Sequence, residues 1–553
     1  MKRPSSSSFS EHWPAVGLWV LLAVALAFVR PLAMPDEGRY GDVGRWMLVS
    51  GDWLTPRLDG LPFFHKPPLL YWLDAAAMAV FGVHPWVARL VPVLHGALML
   101  LGTLWFAHTR IDRQTAQRVR WILGSCMLLL GGADYVNCDI EVACWISLAI
   151  WFFAAALLQP ERATWPALAG FAACALGVLS KGLIGVVLPG MVMFLWVALD
   201  NRWKLLGCIP WIRGWSLFAA MALPWFILLE QRYGGFFHYF FIEQQFTRYV
   251  GTEFNNRQPL LFYVVCLLVF CFPFVAVLRP RWTGNSTASY RSVWRLCWAT
   301  VLAILVFFSI PASKLVGYIL PVVPALMLLT AMAWPHAVTT MSSRWAMGLG
   351  SLMLGCVFAI LSLLGPIEQH WPLWLGVASG VLGALWWSGL WANIYRLNAN
   401  SLLRLAALQS ITTLILVNVG VAVQTEVKSA APLAHYLLQH DTHPRLIYWG
   451  TYPFDLPFYL NSQEPSPILS SWHAREQFSK DDGDQQLIDG IAFEPATAGV
   501  LHEFNSLPVL HNQQPQAWLV SGRLPQDPRI LCCFEHPIPF GNLTLWQPRQ
   551  ARN

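Results

Sequence analysis

The chain has 553 residues, of which 56% are hydrophobic and 12% are charged, and its formal net charge is +6. Soluble domains carry about 25% charged residues, so this chain has too few to cover a water-soluble globule, and lipid is the alternative solvent. Its basic residues are scattered between apolar runs, which excludes the basic stripe that is typical of nucleic-acid-binding proteins.

Apolar runs long enough to cross a bilayer recur along the chain. A hydrocarbon core of roughly 30 Å requires about 20 apolar residues in a helix, and about thirteen runs come close to this length. These spans are predicted at 14–34, 86–108, 120–134, 141–159, 165–180, 183–200, 214–231, 259–278, 294–311, 318–335, 346–365, 373–393 and 403–423. The pattern predicts an α-helical polytopic membrane protein.

The distribution of Lys and Arg between the spans predicts their orientation. The short connection at 109–120 contains several Arg residues, whereas those at 134–140 and 366–372 contain neither Lys nor Arg. We therefore expect a cytoplasmic N-terminus. With an odd number of spans, the segment that follows the last span lies on the periplasmic side.

Two helices are predicted in the connection between the first two spans. Pro35 begins the first, with Asp36 and Glu37 in its first turn, where acids favour the helix dipole. The second begins near Pro67. Their aromatic, half-apolar composition is typical of helices that lie in the plane of the membrane interface.

The composition changes after residue 423, where charge, Pro and Gln increase and no run of span length occurs. Short β-like runs occur at Leu446–Trp449 and Trp518–Ser521. About 130 residues is a normal size for one core. We therefore expect a transmembrane catalytic domain at 1–423, which includes the periplasmic loop 35–85, and a small periplasmic α/β domain at 424–553.

The first loop contains the motifs P-D-E-x-R-Y, S-G-D-W and K-P-P-L-x-Y-W. This pattern resembles the GT-C glycosyltransferases related to protein O-mannosyltransferases, and it is most similar to the bacterial 4-amino-4-deoxy-L-arabinose transferases that modify lipid A. Three later segments, Ser180–Gly182, Glu243–Tyr249 and Ser313–Pro324, fit the same family. The resemblance covers the membrane part from end to end and implies a GT-C-type fold.

The resemblance implies an inverting transfer of 4-amino-4-deoxy-L-arabinose from undecaprenyl phosphate to a lipid A phosphate. The expected location is the periplasmic face of the bacterial inner membrane, and the expected result is resistance to polymyxin and other cationic antimicrobial peptides. The implied partners are the lipid-linked sugar, lipid A and membrane lipid, with no nucleic acid. We expect a monomer that requires no cofactor.

Three acids are candidates for catalysis. The essential acid of the family's first loop corresponds to Asp36, with Glu37 beside it, and a second acid corresponds to Asp139, with Glu141 as the fallback. Paired acids at the start of a helix are often only caps, and a loop acid is often only solvated. An acid at membrane depth is costly and needs a partner or a function.

Five cations are candidates for binding the donor phosphate: Lys66, Lys181, Lys314, Arg39 and Arg248. Any one lysine could merely extend to the lipid head groups. Lysines at the same outer face favour a phosphate site, because fixed cations there would stabilise the charge that develops on the leaving oxygen.

Other side chains are predicted to contact the substrate or a metal ion. The substrate candidates are Tyr40, Tyr71, Glu243 and Tyr318. His65 and His238 could hold a divalent metal together with Glu243, but their spacing is not diagnostic. Many of the aromatic residues in these loops are expected to form an interfacial belt.

Two other functions compete with this interpretation. A protein O-mannosyltransferase would use similar donor chemistry with a Ser or Thr hydroxyl as acceptor, and it would require an aspartate base. A lipid flippase or transporter would place acids on broken helices near the bilayer midplane, whereas the acids here cluster in outer connections. The adjacent Cys532 and Cys533 suggest no function.

Overall fold

The computed structural model describes residues 9–247, 256–278, 287–337, 398–440, 445–472, 483–523 and 527–549. The chain divides into two compact units. The helical unit consists of Met1–Ala27, Pro92–Pro224 and Asn256–Gly420, and the loop unit consists of Phe28–Val91, Trp225–Asn255 and Val421–Asn553. The predicted spans at 346–365 and 373–393 lie outside the described residues.

The α-helices of the described residues are, in chain order, α1 (Trp13–Ala27), α2 (Asp36–Ser50), α3 (Leu69–Phe81), α4 (Pro85–Ala88), α5 (Leu90–Arg110), α6 (Arg113–Gly124), α7 (Met127–Ala133), α8 (Cys138–Leu158), α9 (Thr164–Lys181), α10 (Ile184–Asp200), α11 (Trp211–Arg232), α12 (Phe262–Phe270), α13 (Ala288–Ser309), α14 (Val323–Ala337), α15 (Ala399–Lys428), α16 (Ala431–His440), α17 (Leu456–Leu460), α18 (Gly483–Phe493), α19 (Leu507–Gln513) and α20 (Pro528–Leu531). A π-helix covers His238–Thr247, and a 3-10 helix at Val316–Val322 precedes α14.

Seven helical segments of the described residues are long and apolar enough to cross a membrane. They are Phe9–Ala27, Pro85–Arg110, Cys138–Leu158, Trp211–Arg232, Ala288–Ser309, Val316–Pro335 and Ala399–Ala422. Seven segments of this length and composition are consistent with a multi-pass membrane protein. The count of about thirteen spans stays a prediction.

Three of the predicted spans differ from the observed helices. The span at 259–278 is helical only at Phe262–Phe270, and a separate 3-10 helix follows at Phe274–Val277. The span at 120–134 is divided into α6 and α7, because the backbone leaves the α-helical conformation at Ser125 and Cys126. The first span was predicted to reach residue 34, but α1 ends at Ala27. Arg30 lies in the non-helical segment that follows.

The helical unit has an apolar core in which α8 is buried along most of its length. Polar contacts also fix α15 to the segments around α7. The hydroxyl of Ser410 donates to the carbonyl oxygen of Ser125 at 2.5 Å, and the amide of Asn418 donates to the carboxylate of Asp134 at 2.5 Å. Buried polar groups need such partners, so these contacts specify the position of α15.

The loop unit contains the two predicted helices of the first loop. Helix α2 covers Asp36–Ser50 and α3 covers Leu69–Phe81, as the sequence predicts. Between them, β1 (Arg57–Leu58) and β2 (Leu61–Pro62) form an antiparallel hairpin. Gly60 in its turn has a φ of 79°, a conformation that favours glycine in two-residue hairpin turns.

The C-terminal segment forms a six-stranded sheet in the order β5-β4-β3-β6-β8-β7. Its strands are β3 (Leu446–Trp449), β4 (Ile468–Ser470), β5 (Leu501–Glu503), β6 (Trp518–Gly522), β7 (Phe534–Phe540) and β8 (Leu543–Pro548). Strands β3 to β6 pair in parallel, and β8 pairs antiparallel with β6 and β7. The α/β character is therefore confirmed, whereas the domain boundary at 423 stays a prediction.

Candidate functional site

Glu37 lies at the centre of a buried ion-pair network in the loop unit. Both of its carboxylate oxygens accept hydrogen bonds from the guanidinium group of Arg89, at 2.9 and 2.8 Å, and Arg30 pairs with the same carboxylate. The backbone N–H of Ala33 also donates to it, at 2.8 Å. These contacts favour a structural role, in which Glu37 holds the start of α2, over the predicted catalytic role.

The ionisation of Glu37 follows from the same contacts. Burial by itself would raise the pKa of Glu37, but the charges of Arg30 and Arg89 and their hydrogen bonds outweigh it. The pKa therefore falls from the ordinary value of 4.5 to about 2.

Asp36 is the first residue of α2 and is partly exposed, with 29% of its side chain accessible. It forms an ion pair with Arg39, one turn further along the helix. Arg39 also donates to Gln486 at 2.8 Å, and its guanidinium carbon lies 5.1 Å from the ring centre of Tyr40. The structure thus places three predicted site residues together at the start of α2.

Tyr40 and Tyr71 are both buried, and their ring centres lie 6.3 Å apart. Tyr40 is 8% exposed and Tyr71 is fully buried. Both rings are therefore packed side chains, and their predicted contacts with a substrate stay predictions.

Lys66 lies in the connection between β2 and α3 and is half-buried. Its ammonium donates to the carbonyl oxygen of His65 at 3.1 Å. His65 is buried, and its Nε2 lies 3.0 Å from the hydroxyl of Tyr239, which donates to Asp489 at 2.9 Å. These contacts fix the backbone that carries Lys66.

The helical unit brings together three other predicted site residues. Asp139, in the first turn of α8, forms an ion pair with Lys181, the last residue of α9. The ammonium of Lys181 lies 4.0 Å from the ring centre of Tyr318, an arrangement that adds a cation–π interaction. The amide of Asn137 donates to Asp139 at 3.1 Å. Asp139 is thus a buried, paired acid rather than a solvated one.

Gly317 allows this cluster to form. A Cβ atom at position 317 would lie 2.9 Å from the Cβ of Asp139 and 2.7 Å from its Cγ, distances that are shorter than van der Waals contact. Only glycine therefore fits beside the carboxylate. Gly317 lies in the predicted family segment Ser313–Pro324, but the sequence analysis did not identify it as a site residue.

Lys314 is buried, and its ammonium donates to the carbonyl oxygens of Pro311 and Gln258, at 2.5 and 3.1 Å. Its backbone N–H donates to the carbonyl oxygen of Asn256 at 3.0 Å. These contacts favour a role in holding the chain around the 3-10 helix over the predicted phosphate-binding role. Arg248 lies outside the described residues.

The candidate metal ligands are not grouped around one point. His238 lies 3.4 Å from Glu243, and both side chains are exposed, whereas His65 contacts Tyr239 and Asp489. Among the described residues, the three side chains that lie close enough together to hold a metal ion are Glu11, His12 and His108. The predicted site at His65 and His238 is therefore not supported, and the exposed Glu243 stays a predicted substrate contact.

Sequence reasoning did not identify three further residues of these networks. Arg30 and Arg89 hold Glu37, and His95 lies 3.8 Å from the fallback acid Glu141. Arg30 fell inside a predicted span, and an arginine within an apolar run is the signal that could have revealed its buried partner.

Comparisons with known proteins extend this description. The model of the dolichyl-phosphate-mannose-protein mannosyltransferase family matches residues 17–240. A Pseudomonas aeruginosa protein named undecaprenyl phosphate-alpha-4-amino-4-deoxy-L-arabinose arabinosyl transferase is 30% identical over 402 residues, which cover 67% of this chain and 70% of that protein. The chain belongs to this arabinosyl transferase family. An Enterobacter protein of the same name is 29% identical over 360 residues, covering 63% of this chain and 64% of that protein.

Solved structures agree on the fold. The crystal structure of ArnT from Cupriavidus metallidurans bound to undecaprenyl phosphate has a TM-score of 0.81 to this chain, with 98% of both chains covered and 21% identity. The apo structure of the same protein has a TM-score of 0.79, with 98% of both chains covered and 22% identity. The likeness confirms the GT-C-type fold, and the family membership confirms that the chain is a glycosyltransferase.

Proposed function

We propose that the protein transfers 4-amino-4-deoxy-L-arabinose from undecaprenyl phosphate to a phosphate group of lipid A. The observation that carries this proposal is the 30% identity to an arabinosyl transferase over 70% of that protein's length. The product would carry an added positive charge on lipid A, which weakens the attraction of polymyxin and other cationic peptides.

The proposed reaction is one in-line displacement with inversion. A lipid A phosphate oxygen attacks the anomeric carbon, and the bond from that carbon to undecaprenyl phosphate breaks with its electron pair remaining on the leaving oxygen. The acceptor phosphate is already ionised near neutral pH, so no general base or cofactor is required. The leaving phosphate gains a negative charge, so a fixed cation stabilises the transition state more than the bound donor.

The contacts in each unit suggest roles for the predicted residues. In the loop unit, Lys66 is proposed to bind the donor phosphate, because its half-buried side chain carries a positive charge and the contacts of His65 hold its backbone in place. Asp36 is proposed to orient the amino sugar. In the helical unit, Lys181 stays a predicted phosphate-binding residue, and Asp139 and Tyr318 are proposed to orient its ammonium.

Lys66→Ala is expected to lower the transfer rate by about 10²–10³-fold, because it removes one fixed charge from the departing phosphate. Lys66→Arg should recover part of the activity, since it restores charge but not shape. The measurement is the initial rate against donor concentration at saturating lipid A. Lys204→Ala, which removes an exposed lysine of the helical unit, serves as the matched control.

Two outcomes would contradict this role for Lys66. A change confined to the apparent affinity for lipid A would place Lys66 at the acceptor. An alanine variant with the kinetics of the Lys204→Ala control would exclude Lys66 from both substrates.

The mannosyltransferase match at residues 17–240 supports a second candidate, transfer to a Ser or Thr hydroxyl. The two candidates differ in the acceptor. Purified protein incubated with the undecaprenyl-phosphate sugar is expected to modify lipid A and to leave a Ser/Thr peptide unmodified. Sugar on the peptide and none on lipid A would reverse the proposal.

We also propose that the first loop and the C-terminal segment face the periplasm and that the N-terminus is cytoplasmic. An impermeant thiol reagent added outside is expected to label Glu464→Cys but not Gln114→Cys, both at exposed positions. The exposed Cys532 must first be replaced by Ser. Asp59, although in the first loop, is only 1% exposed and would be a poor reporter. Labelling of Gln114→Cys from outside would overturn the orientation.

A further inference from the structure

A polar cavity of about 340 Å³ lies between α6 and the start of α15 in the helical unit. From α6, the lining residues include Gln114, Gln117, Arg118 and Trp121. Their spacing of i, i+3, i+4 and i+7 places them on one face of the helix. These four residues form one face of α6, and Arg120 lines the cavity from beside that face.

Helix α15 contributes the opposite wall through Asn400, Leu403 and Arg404. Their spacing of i, i+3 and i+4 again places them on one face. The hydrogen bond from Ser410 to the carbonyl oxygen of Ser125 fixes the two helices together about two turns from the cavity. The cavity thus lies between most of α6 and the first two turns of α15.

The charge of the cavity is strongly positive. Arg118, Arg120 and Arg404 line it, and the lining residues that the structure describes include no Asp or Glu. The side chain of Gln114 accepts a hydrogen bond from Arg118 at 3.4 Å. Asp112 precedes α6, but its carboxylate is held by the backbone N–H and the hydroxyl of Thr115, at 2.7 and 2.8 Å. Three guanidinium groups around one cavity favour an anionic ligand.

The sequence assigns both walls to the same side of the membrane. The connection at 109–120 and the one that precedes the span at 403–423 are both predicted to be cytoplasmic. Anionic phospholipids are abundant on that side, and basic pockets between transmembrane helices there bind their head groups. Trp121 is 39% exposed, an arrangement typical of an aromatic ring at the membrane interface.

We propose that this cavity binds the phosphate head group of an anionic phospholipid, such as cardiolipin or phosphatidylglycerol. The guanidinium groups would bind the phosphate oxygens with paired hydrogen bonds, and the side-chain amides of Gln117 and Asn400 would bind the glycerol hydroxyls or ester oxygens. The ligand would be a structural lipid that takes no part in the proposed transfer. The proposal does not depend on which sugar or acceptor the protein uses.

The test is native mass spectrometry of the purified full-length protein with added cardiolipin, phosphatidylglycerol or phosphatidylethanolamine. Wild type is expected to retain the two anionic lipids preferentially. Each arginine near the surface contributes about fivefold to anionic lipid affinity, so Arg118→Gln/Arg404→Gln should weaken retention roughly 30-fold. Arg213→Gln/Arg291→Gln removes two exposed arginines of the same unit that do not line the cavity and should retain wild-type binding.

Several results would overturn the proposal. Equal retention of phosphatidylethanolamine would exclude selectivity for anionic lipid. An equal loss of lipid binding in the Arg213→Gln/Arg291→Gln control would show that overall charge, rather than this cavity, explains the effect. Displacement of bound lipid by millimolar inorganic phosphate, with equal thermal stabilisation by phosphate alone, would assign the cavity to a soluble anion. If the double variant does not fold, Arg404→Gln alone, which changes an exposed position, can be tested instead. This variant should retain anionic lipid about fivefold more weakly than wild type.

Discussion

Glu37→Ala is expected to lower the free energy of unfolding by about 3–5 kcal/mol, because it leaves two buried arginines without their carboxylate. Arg30 is 6% exposed and Arg89 is fully buried, so water cannot replace the lost partner. The measurement is thermal or denaturant unfolding of the purified protein in detergent. Glu464→Ala is the matched control, since Glu464 is 79% exposed and pairs with Arg445 at 3.8 Å, and it should change stability little.

The pH dependence of stability provides a second measurement on Glu37. Its pKa is lowered from 4.5 to about 2, so its stabilising charge is fully present above about pH 4.5 and is lost as the pH falls through about 2. Wild type should therefore lose stability in this range more steeply than Glu37→Gln. A Glu37→Gln variant with normal stability and no transfer activity would instead restore the catalytic role that the sequence predicts.

Gly317→Ala is expected to lower the transfer rate by about 10²-fold or more, because an added Cβ displaces Asp139 and a misplacement of about 1 Å is that costly in an active site. The variant should move the carboxylate away from Lys181 while the surrounding helices remain folded. The measurement is the initial rate of sugar transfer to lipid A, with unfolding followed on the same preparation. Gly190→Ala is the matched control, because no heavy atom lies within 4 Å of the Cβ position at this glycine.

A double variant separates steric from chemical effects at this position. Gly317→Ala/Asp139→Gly removes the carboxylate and also the Cβ that an alanine at 317 would meet at 2.9 Å, so it relieves the steric conflict, but it should remain inactive if the Asp139 carboxylate serves the reaction. Wild-type activity in the single Gly317→Ala variant would show that the observed position of Asp139 is not needed. Recovery of activity in the double variant would assign Asp139 a purely structural role.

The first loop shows how far local patterns predict structure. The predicted helix starts near Pro35 and Pro67 agree with α2 and α3, because helix boundaries depend on residues within one turn. The Asp59-Gly60 turn carries an equally local signal. The contiguous motifs of this loop also identified the family, since they hold recognisable residues at fixed spacing.

The ion pairs between charged residues could not be predicted from local sequence patterns. The sequence treated Asp139 and Lys181 as separate candidates, yet they are 42 residues apart and form one ion pair. Lys314 was assigned to the donor phosphate from its predicted position at the outer end of a helix, but its ammonium donates to backbone carbonyl oxygens. Such contacts depend on how distant segments pack.

The sequence by itself determined that this protein is a multi-pass membrane glycosyltransferase with two helices in its first loop and an α/β segment at its end. These properties follow from composition, periodicity and contiguous motifs, which act over a few residues. Only the tertiary structure decided that Glu37 is held by Arg30 and Arg89, that Gly317 makes room for Asp139, and that arginines of α6 and α15 share one cavity. The physical reason is that a buried charge takes its role from its partners, and packing brings those partners from segments far apart in the chain.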